Sequence, residues 1–232
     1  MARQPIDDQL MFTPKRIIQE ELLDEHDAPR PDMERSLRDL RRINRFLGGV
    51  TTYRRVLERM LPDLGRKKTV VLELGAGTAD LLDALPASVF GIATDIKIEH
   101  LLYLREGSRA RRVVCDAMHL PLRPQSVDAI TSAHFFHHFT EEENQAILTG
   151  ALPAVRRGIA INDTRRHFAP LAFVRLLSAL RLVGRITRFD APASVLRGYT
   201  TVEAREVGQS VPASRAEAIQ IFPFRFGLLL WK

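Results

Sequence analysis

The sequence predicts an α/β protein with a doubly wound sheet of seven strands, of which five are parallel and the last two form an antiparallel hairpin. Short β-branched and apolar runs alternate with helix patterns between residues 69 and 163. The first of these runs leads into a glycine turn, and two strand patterns follow after the alternation stops. Alternation of this kind is typical of parallel sheets with right-handed crossovers.

The composition is that of an ordinary globular protein. The 232 residues are 45% hydrophobic and 27% charged, which suggests one large domain or one domain with an added helical segment. The longest apolar runs, such as residues 226–231, are far shorter than the roughly 20 residues of a membrane-spanning helix. The first residues lead into no apolar signal core, so we expect a cytoplasmic location. The single cysteine, Cys115, excludes an intrachain disulfide.

The charge balance is modestly positive, at +6 from 34 Lys and Arg against 28 Asp and Glu. The arginines are spread along presumed helix faces, which is typical of a solvated surface, although contact with an anionic ligand or a membrane surface stays open. No basic stretch is interleaved with aromatic residues, so no nucleic-acid partner is expected.

The first third of the chain has little strand character. Residues 1–31 contain four prolines around one short amphipathic piece at residues 16–23, which predicts an arm. Apolar residues at three- and four-residue steps predict two helices over residues 32–61, broken at Gly48 and Gly49. We expect residues 1–64 to form an arm and helical cap, and residues 65–232 to form the main domain with a helical insertion at about 168–210.

The central part predicts the parallel sheet. Strands are expected at residues 69–74, 89–94, 112–115, 126–131 and 158–162, and helices at 78–85, 98–104 and 141–151, the last capped by Thr140.

The remainder predicts helices and then the hairpin. The expected elements are a long amphipathic helix at residues 171–186, a loop at 190–198, a short helix at 201–209, and strands at 216–222 and 226–231. The last run is continuously apolar, so we expect that strand to lie antiparallel beside the fifth strand, away from the sheet edge.

The strand ends indicate where a ligand binds, because open α/β sheets bind ligands outside the carboxyl ends of their strands. Gly75 and Gly77 let a ligand approach the backbone, before a helix start with unpaired N–H groups. Asp95 ends the second strand, where a ribose diol could bind, and Asp116 with Ala117 could contact an adenine edge. Together they indicate a nucleoside-bearing cofactor.

Three segments carry a more specific pattern: VVLELGAGTAD at residues 70–80 with Asp95 beyond it, CDAMHLPL at 115–122, and SVDAI at 126–130. The pattern resembles the class I S-adenosylmethionine-dependent methyltransferases, in particular the ubiquinone/menaquinone-type small-molecule enzymes, over about residues 69–163. These have a Rossmann-like fold. A dinucleotide fingerprint would need glycine where this chain has Asp80, which disfavours a nucleotide-dependent oxidoreductase.

The resemblance implies S-adenosylmethionine as cofactor. In the family the glycine loop holds the methionine part, the acid after the second strand binds the ribose, and an Asp after the third strand meets the adenine. The cofactor-binding residues implied here are Glu73, Gly75, Ala76, Gly77, Asp95, Ile96, Asp116, Ala117 and Ser132. Ala79 stands where many members have a third glycine.

Histidines follow the fourth strand. This position lacks the Asn-Pro-Pro-Tyr-like run of enzymes that methylate nucleobases or glutamine, which disfavours N-methylation. A histidine is suited to removing a proton from an acceptor, so His137 and His138 are candidate bases, with packing or helix capping as the alternative. No carboxylate ends the fourth strand, where magnesium-dependent members need one, so no metal is expected.

The acceptor pocket is expected between the inserted helices and the loops beyond the fourth and fifth strands. Residues 171–188, residues 32–61 and Phe135 would line it. Arg165 or Arg166 and Tyr199 would form its polar end, although surface solvation or ion pairing of the arginines, and a packing role for Tyr199, stay open.

These observations predict a methyltransferase that modifies an oxygen or carbon of a small, aromatic or lipophilic metabolite, as a monomer or homodimer. The alternative is a non-catalytic assembly or regulatory factor that keeps the methyltransferase fold.

Overall fold

The computed structural model describes residues 13–24, 28–103 and 107–232. The seven strands are β1 (Thr69–Leu74), β2 (Val89–Asp95), β3 (Arg111–Val114), β4 (Val127–Ala133), β5 (Val155–Thr164), β6 (Arg215–Ile221) and β7 (Arg225–Trp231). The eight α-helices are α1 (Arg30–Phe46), α2 (Gly49–Met60), α3 (Asp80–Asp83), α4 (Ile98–Leu102), α5 (Glu141–Ala151), α6 (Phe168–Ala179), α7 (Arg185–Arg197) and α8 (Thr201–Ser210).

All seven strands form one sheet in the order β3-β2-β1-β4-β5-β7-β6. The first five are parallel, and β7 runs antiparallel to both β5 and β6. The chain order reverses at β1, whose neighbours are β2 and β4, so the switch point lies at the carboxyl end of β1. The predicted sheet and the internal position of the last strand are confirmed.

The strand β7 is buried on both faces. Phe226, Leu228 and Leu230 belong to the apolar core on one side of the sheet, and Leu229 belongs to the core on the other side. Gly158 on β5 makes the close approach possible, because a Cβ there would overlap the Leu230 carbonyl oxygen. The continuous apolar run thus reflects two covered faces.

Helices α1 and α2 form two elements, as predicted, and Gly48 between them has a φ of 78°. Val56, Leu57 and Met60 of α2 are buried against the sheet. Helix α1 instead packs on α7, where the Asp39 carboxylate accepts a hydrogen bond of 2.7 Å from the backbone N–H of Gly184.

The predicted long helix at residues 171–186 is wrong. The structure has two helices here, α6 and α7, and the chain turns between them through Arg181, whose φ is 55°. The predicted loop at 190–198 is mostly the C-terminal half of α7. Asp39 accepts a hydrogen bond from the backbone N–H of Gly184 at the start of α7, a long-range contact that local periodicity does not show.

The arm also differs from the prediction. Residues 13–21 form no helix or strand, and a short 3-10 turn follows at Leu22–Asp24. Helix α3 and the described part of the helix after β2 are shorter than predicted, and residue 104 lies outside the described residues. The division into an arm with cap and a main domain stays a prediction. Within the described ranges, every helix is too short or too polar to cross a lipid bilayer.

Candidate functional site

A cavity of about 500 Å³ lies at the carboxyl ends of β1, β2 and β4. The glycine turn after β1 forms one side, and the arm, α1 and the C-terminal end of α7 cover the other. Of the predicted cofactor residues, the cavity lining includes Glu73, Gly75, Ala76, Gly77, Asp95, Ile96, Asp116 and Ala117. The sheet therefore brings together residues spread over more than 40 positions of the sequence.

The two glycines of the turn have different surroundings. Both have left-handed backbones, with φ of 59° at Gly75 and 50° at Gly77. A Cβ on Gly75 would overlap the ring of Phe135, whereas a Cβ on Gly77 would meet no protein atom within 4 Å. Gly75 is thus required by packing inside the protein, and Gly77 presents bare backbone to the cavity.

Asp95 connects the second strand to the glycine turn. Its Oδ2 accepts a hydrogen bond of 3.0 Å from the Gly77 backbone N–H, and its Oδ1 accepts one of 2.9 Å from the Lys97 N–H. Each carboxylate oxygen has a second lone pair, so the same group can still accept hydrogen bonds from a ligand. Asp95 therefore fixes the turn and faces the cavity at once.

Asp116 caps the short 3-10 turn that follows β3. Its Oδ1 accepts a hydrogen bond of 2.9 Å from the Met118 N–H, which is the main reason that its pKa is lowered. Ala117 beside it lines the same wall of the cavity. This wall suits the adenine edge that the sequence predicts.

Glu73 is a buried acid at the switch point. It is 2% exposed, and its Oε2 has no hydrogen-bond partner among the described residues. Burial and the nearby Asp80 carboxylate raise the pKa of Glu73 well above its usual value. A cationic ligand in the cavity would favour the ionised form of this group.

Ser132 is the one predicted cofactor residue outside the cavity lining. It is fully buried in β4 beside β1, where it pairs with Leu74. The alternation of side chains along the strand explains this, because the neighbouring Ala133 reaches the cavity.

His137 lies between two carboxylates. Its Nδ1 is 2.9 Å from Asp163 Oδ1, and its Nε2 is 3.3 Å from Glu21 Oε1. Burial alone would lower the pKa of His137, but Asp163 and Glu21 outweigh it and raise that pKa to about 10. The ring is therefore protonated at neutral pH and is poorly suited to act as a base.

His138 has a different arrangement. Its Nδ1 lies 2.8 Å from Asp24 Oδ2, and its ring stacks 4.3 Å from that of His137. The Nδ1 contact with Asp24 leaves Nε2 as the ring nitrogen that is not engaged with this carboxylate. Because His138 also lines the cavity, it is the better placed candidate base.

His134 completes the histidine group. Arg225 Nη1 donates to His134 Nε2 over 2.7 Å, and burial and this arginine lower the pKa of His134 to about 3. His134, which lines the cavity, is thus a neutral acceptor for the buried Arg225.

Three of the four predicted acceptor residues lie away from the cavity lining. Arg166 donates to the carbonyls of Pro14 and Gly198 and to Glu203. Tyr199 is fully buried and donates to the Phe139 carbonyl. We therefore do not carry Arg166 and Tyr199 forward as acceptor-binding residues.

Arg165 and Phe135 are the remaining two of the four predicted acceptor residues. The guanidinium of the half-buried Arg165 lies 5.8 Å from the Phe224 ring centroid, beyond the end of β5. Phe135 does line the cavity, over the glycine turn. The histidines and the arm thus form the polar part of the cavity lining, which was predicted to consist of Arg165, Arg166 and Tyr199.

The arm supplies the residues that the sequence did not indicate. Glu21 and Asp24 line the cavity with Ser194 and Arg197 of α7. Ser194 Oγ donates to Glu21 over 2.7 Å, and Arg197 Nη1 donates to the Gln19 carbonyl over 2.9 Å. An arm without helix or strand has no periodic sequence pattern, and this part of α7 was predicted to be a loop. The sequence around these residues therefore did not indicate either contact.

Glu21, His137 and His138 also bring three ligand-type atoms within 4.8 Å of one another. Protons compete with a metal at this place, because Asp163 and Glu21 raise the pKa of His137 to about 10. The arrangement therefore favours an ionic cluster that fastens the arm.

Known proteins give an independent view of the chain. Residues 71–158 match a family model described as a methyltransferase domain. An uncharacterized methyltransferase of Geobacillus thermodenitrificans is 33% identical over 99 residues, which are 41% of this chain and 45% of that protein. The chain thus spans less than half the length of this curated relative.

Solved structures share the fold over more of the chain. A SAM-dependent methyltransferase from Aquifex aeolicus superposes with a TM-score of 0.59 at 16% identity, covering 85% of this chain and 97% of that one. Human N-acetylserotonin methyltransferase, in complex with SAM, gives a TM-score of 0.59 at 13% identity, covering 84% of this chain and 54% of that one.

Proposed function

We propose that this protein transfers a methyl group from S-adenosylmethionine to an oxygen or carbon atom of a small aromatic or lipophilic acceptor, since residues 71–158 match a family model described as a methyltransferase domain. The observation that carries the proposal is the cavity at the switch point, in which the bare backbone of Gly77 meets the acids of two strand ends. When bound, the cofactor supplies a methyl group already activated on a sulfonium.

The charge of the cavity suits this cofactor. S-adenosylmethionine has two positive groups and one carboxylate, so it is a net cation. Carboxyl groups dominate the ionisable part of the lining, which includes Glu21, Asp24, Glu73, Asp80, Asp95 and Asp116 against Lys97, Arg197 and the protonated His137. Inside a protein such a field is screened less than in water, and it favours a cationic ligand.

The remaining wall suits an apolar acceptor. Leu37 and Leu40 of α1 and the rings of Phe135 and Phe139 face the space beyond the glycine turn. Apolar side chains exclude water from the transferred methyl group and leave the acceptor oriented by a few polar atoms. This supports a flat or lipid-like acceptor over a highly charged one.

In this proposal, His138 is the base that removes the proton from the acceptor. For a hydroxyl acceptor, Nε2 of His138 takes the proton while Asp24 holds the ring through Nδ1. His137 acts as a positioning residue, since its imidazolium holds Glu21 and therefore the arm beside His138.

Cofactor binding is tested by calorimetry with S-adenosylhomocysteine. The Gly77→Val variant should lose binding, because the new side chain fills the open space in front of the turn. Gly107→Val is the matched control, since Gly107 also has a positive φ, of 81°, and open space around its Cβ position. Binding of NAD in place of S-adenosylhomocysteine would overturn the assignment.

Methyl transfer is tested with labelled S-adenosylmethionine and a panel of phenols, quinols and lipid-like alcohols or β-dicarbonyls. With an accepted hydroxyl substrate, His138→Gln should lower kcat by roughly 10²- to 10⁴-fold and leave S-adenosylhomocysteine affinity unchanged. An unchanged rate would exclude His138 as the base. Cofactor binding without any transfer across the panel would favour the non-catalytic alternative, which the open cavity disfavours.

A further inference from the structure

Helix α6 exposes an apolar face. Phe173, Leu176 and Leu180 are 43%, 56% and 59% exposed, at steps of three and four residues that place them on one side of the helix. Ala169, Ala172 and Ala179 are exposed at the intervening positions of the same side. Leu171 is the only buried residue of this helix. A surface helix is usually polar outside and apolar inside, whereas α6 is apolar on its exposed side as well.

The apolar face continues beyond the end of the helix. Leu182 in the turn is 62% exposed, and Phe189 on α7 is 41% exposed. The two helices are joined near this point by a hydrogen bond of 3.3 Å from Ser178 Oγ to the Arg188 carbonyl. We call these exposed side chains the α6–α7 face: Phe173, Leu176, Leu180, Leu182 and Phe189.

The segment that carries this face has charged side chains of one sign only. Residues 168–189 contain four arginines, at positions 175, 181, 185 and 188, and no Asp or Glu. Arg175, Arg181 and Arg185 are exposed, and Arg185 has a contact of 3.9 Å with Asp32. An apolar face bordered by arginines is the composition of segments that lie on anionic membrane surfaces.

A second copy of the chain fits this face less well. A two-fold interface would place the same arginines opposite one another, with no carboxylate in the segment to compensate. We propose that the α6–α7 face docks on the surface of an anionic lipid bilayer, with the apolar side chains in the headgroup boundary and the arginines on lipid phosphates.

Helix α7 connects the α6–α7 face to the cavity, so docking of the face would bring the cavity close to the bilayer. Helix α7 carries Phe189 near its middle and Ser194 and Arg197 at the cavity, roughly 8–12 Å further along the helix axis at 1.5 Å per residue. Asp190, next to Phe189, accepts hydrogen bonds from the backbone of Leu22 and Leu23 in the arm. A docked molecule would therefore hold the arm and the cavity mouth close to the bilayer.

The test is flotation of the full chain with vesicles. We expect binding to vesicles of phosphatidylcholine with phosphatidylglycerol, little binding to phosphatidylcholine alone, and weaker binding at high salt. The double variant Phe173→Ser, Leu176→Ser should lower binding by roughly tenfold or more. Arg175→Glu with Arg181→Glu should lower it at least as much, at about fivefold for each arginine lost.

Matched controls lie on α8, which packs against β6 on the sheet. Val202→Ser removes a side chain that is 41% exposed, and Arg205→Glu reverses an exposed charge, and neither should change vesicle binding. Unchanged S-adenosylhomocysteine binding, or an unchanged circular dichroism spectrum if that ligand does not bind, shows that the variants fold. No flotation of the wild type, equal flotation on both vesicles, or a dimer in solution that Phe173→Ser dissociates would overturn the proposal.

Discussion

Glu73 is an acid whose environment opposes its charge. Its side chain is buried, Asp80 adds a second negative charge, and both raise the pKa of Glu73 above the usual 4.5. A raised carboxyl pKa means that the folded protein binds a proton more tightly than the unfolded chain does. The free energy of unfolding should therefore fall as the pH rises above about 4.5.

The same acid predicts a pH-dependent affinity. A bound sulfonium and ammonium favour ionised Glu73, so binding of S-adenosylmethionine should release a proton and strengthen as the pH rises. Calorimetry in two buffers of different ionisation enthalpy measures the release. In Glu73→Gln the proton release should disappear, and a release that persists in this variant would assign the proton to another group.

At the level of elements, an ionic cluster is one of the contacts that fasten the arm to the sheet. His137 bridges Asp163 at the end of β5 and Glu21 on the arm. Its pKa is raised from 6.5 to about 10, so the stabilisation is fully present below pH 6.5 and is lost as the pH rises through about 10. The arm should thus loosen from the cavity in alkaline solution.

The variant Glu21→Gln separates the arm from this cluster. The pKa of His137, measured by NMR of its ring protons, should fall but stay above 6.5, because Asp163 remains. Amide exchange in the arm should become faster. Glu20→Gln is the matched control, since Glu20 is an exposed neighbour. A His137 pKa that does not change in Glu21→Gln would show that the arm contact is not formed in solution.

Elements that depend on residues close together in the sequence could be predicted from it. The strand β1 has the predicted bounds, and α5 begins after Thr140, whose side chain and that of Glu143 form a capping box. The glycine turn and the two acids Asp95 and Asp116 were predicted because parallel strands bring their carboxyl ends to one edge.

Elements that depend on contacts between residues far apart in the sequence could not be predicted. The start of α7 after the break is held by Asp39, which is 145 positions from Gly184. The cavity wall formed by Glu21 and Arg197 includes contacts between residues more than 170 positions apart. Arg166 and Tyr199 were plausible site residues by position, but their burial and hydrogen bonds direct them into the protein.

For the whole molecule, stability depends on the strand that joins the two parts of the sheet. Leu228 on β7 is fully buried. Leu228→Ala should lower the free energy of unfolding by about 2–5 kcal/mol, because it leaves a cavity in the core. Urea unfolding followed by the fluorescence of the single tryptophan, Trp231 on the same strand, measures the loss.

Leu102→Ala is the control for this variant, since Leu102 is 64% exposed and its truncation should change the free energy of unfolding by less than about 0.5 kcal/mol. A loss at Leu228 no larger than at Leu102 would contradict the central role of β7.

The central place of β7 also affects how the protein is made. On the ribosome, β1 to β5 emerge first, and the free edge of β5 has to wait for residues 225–231 to be synthesised. Until then, seven consecutive β5 residues that will pair with β7 expose unpaired backbone groups to other nascent chains. The last steps of translation therefore decide whether this edge is closed by its own chain or by a neighbour, and chaperones that bind exposed strands would act in that interval.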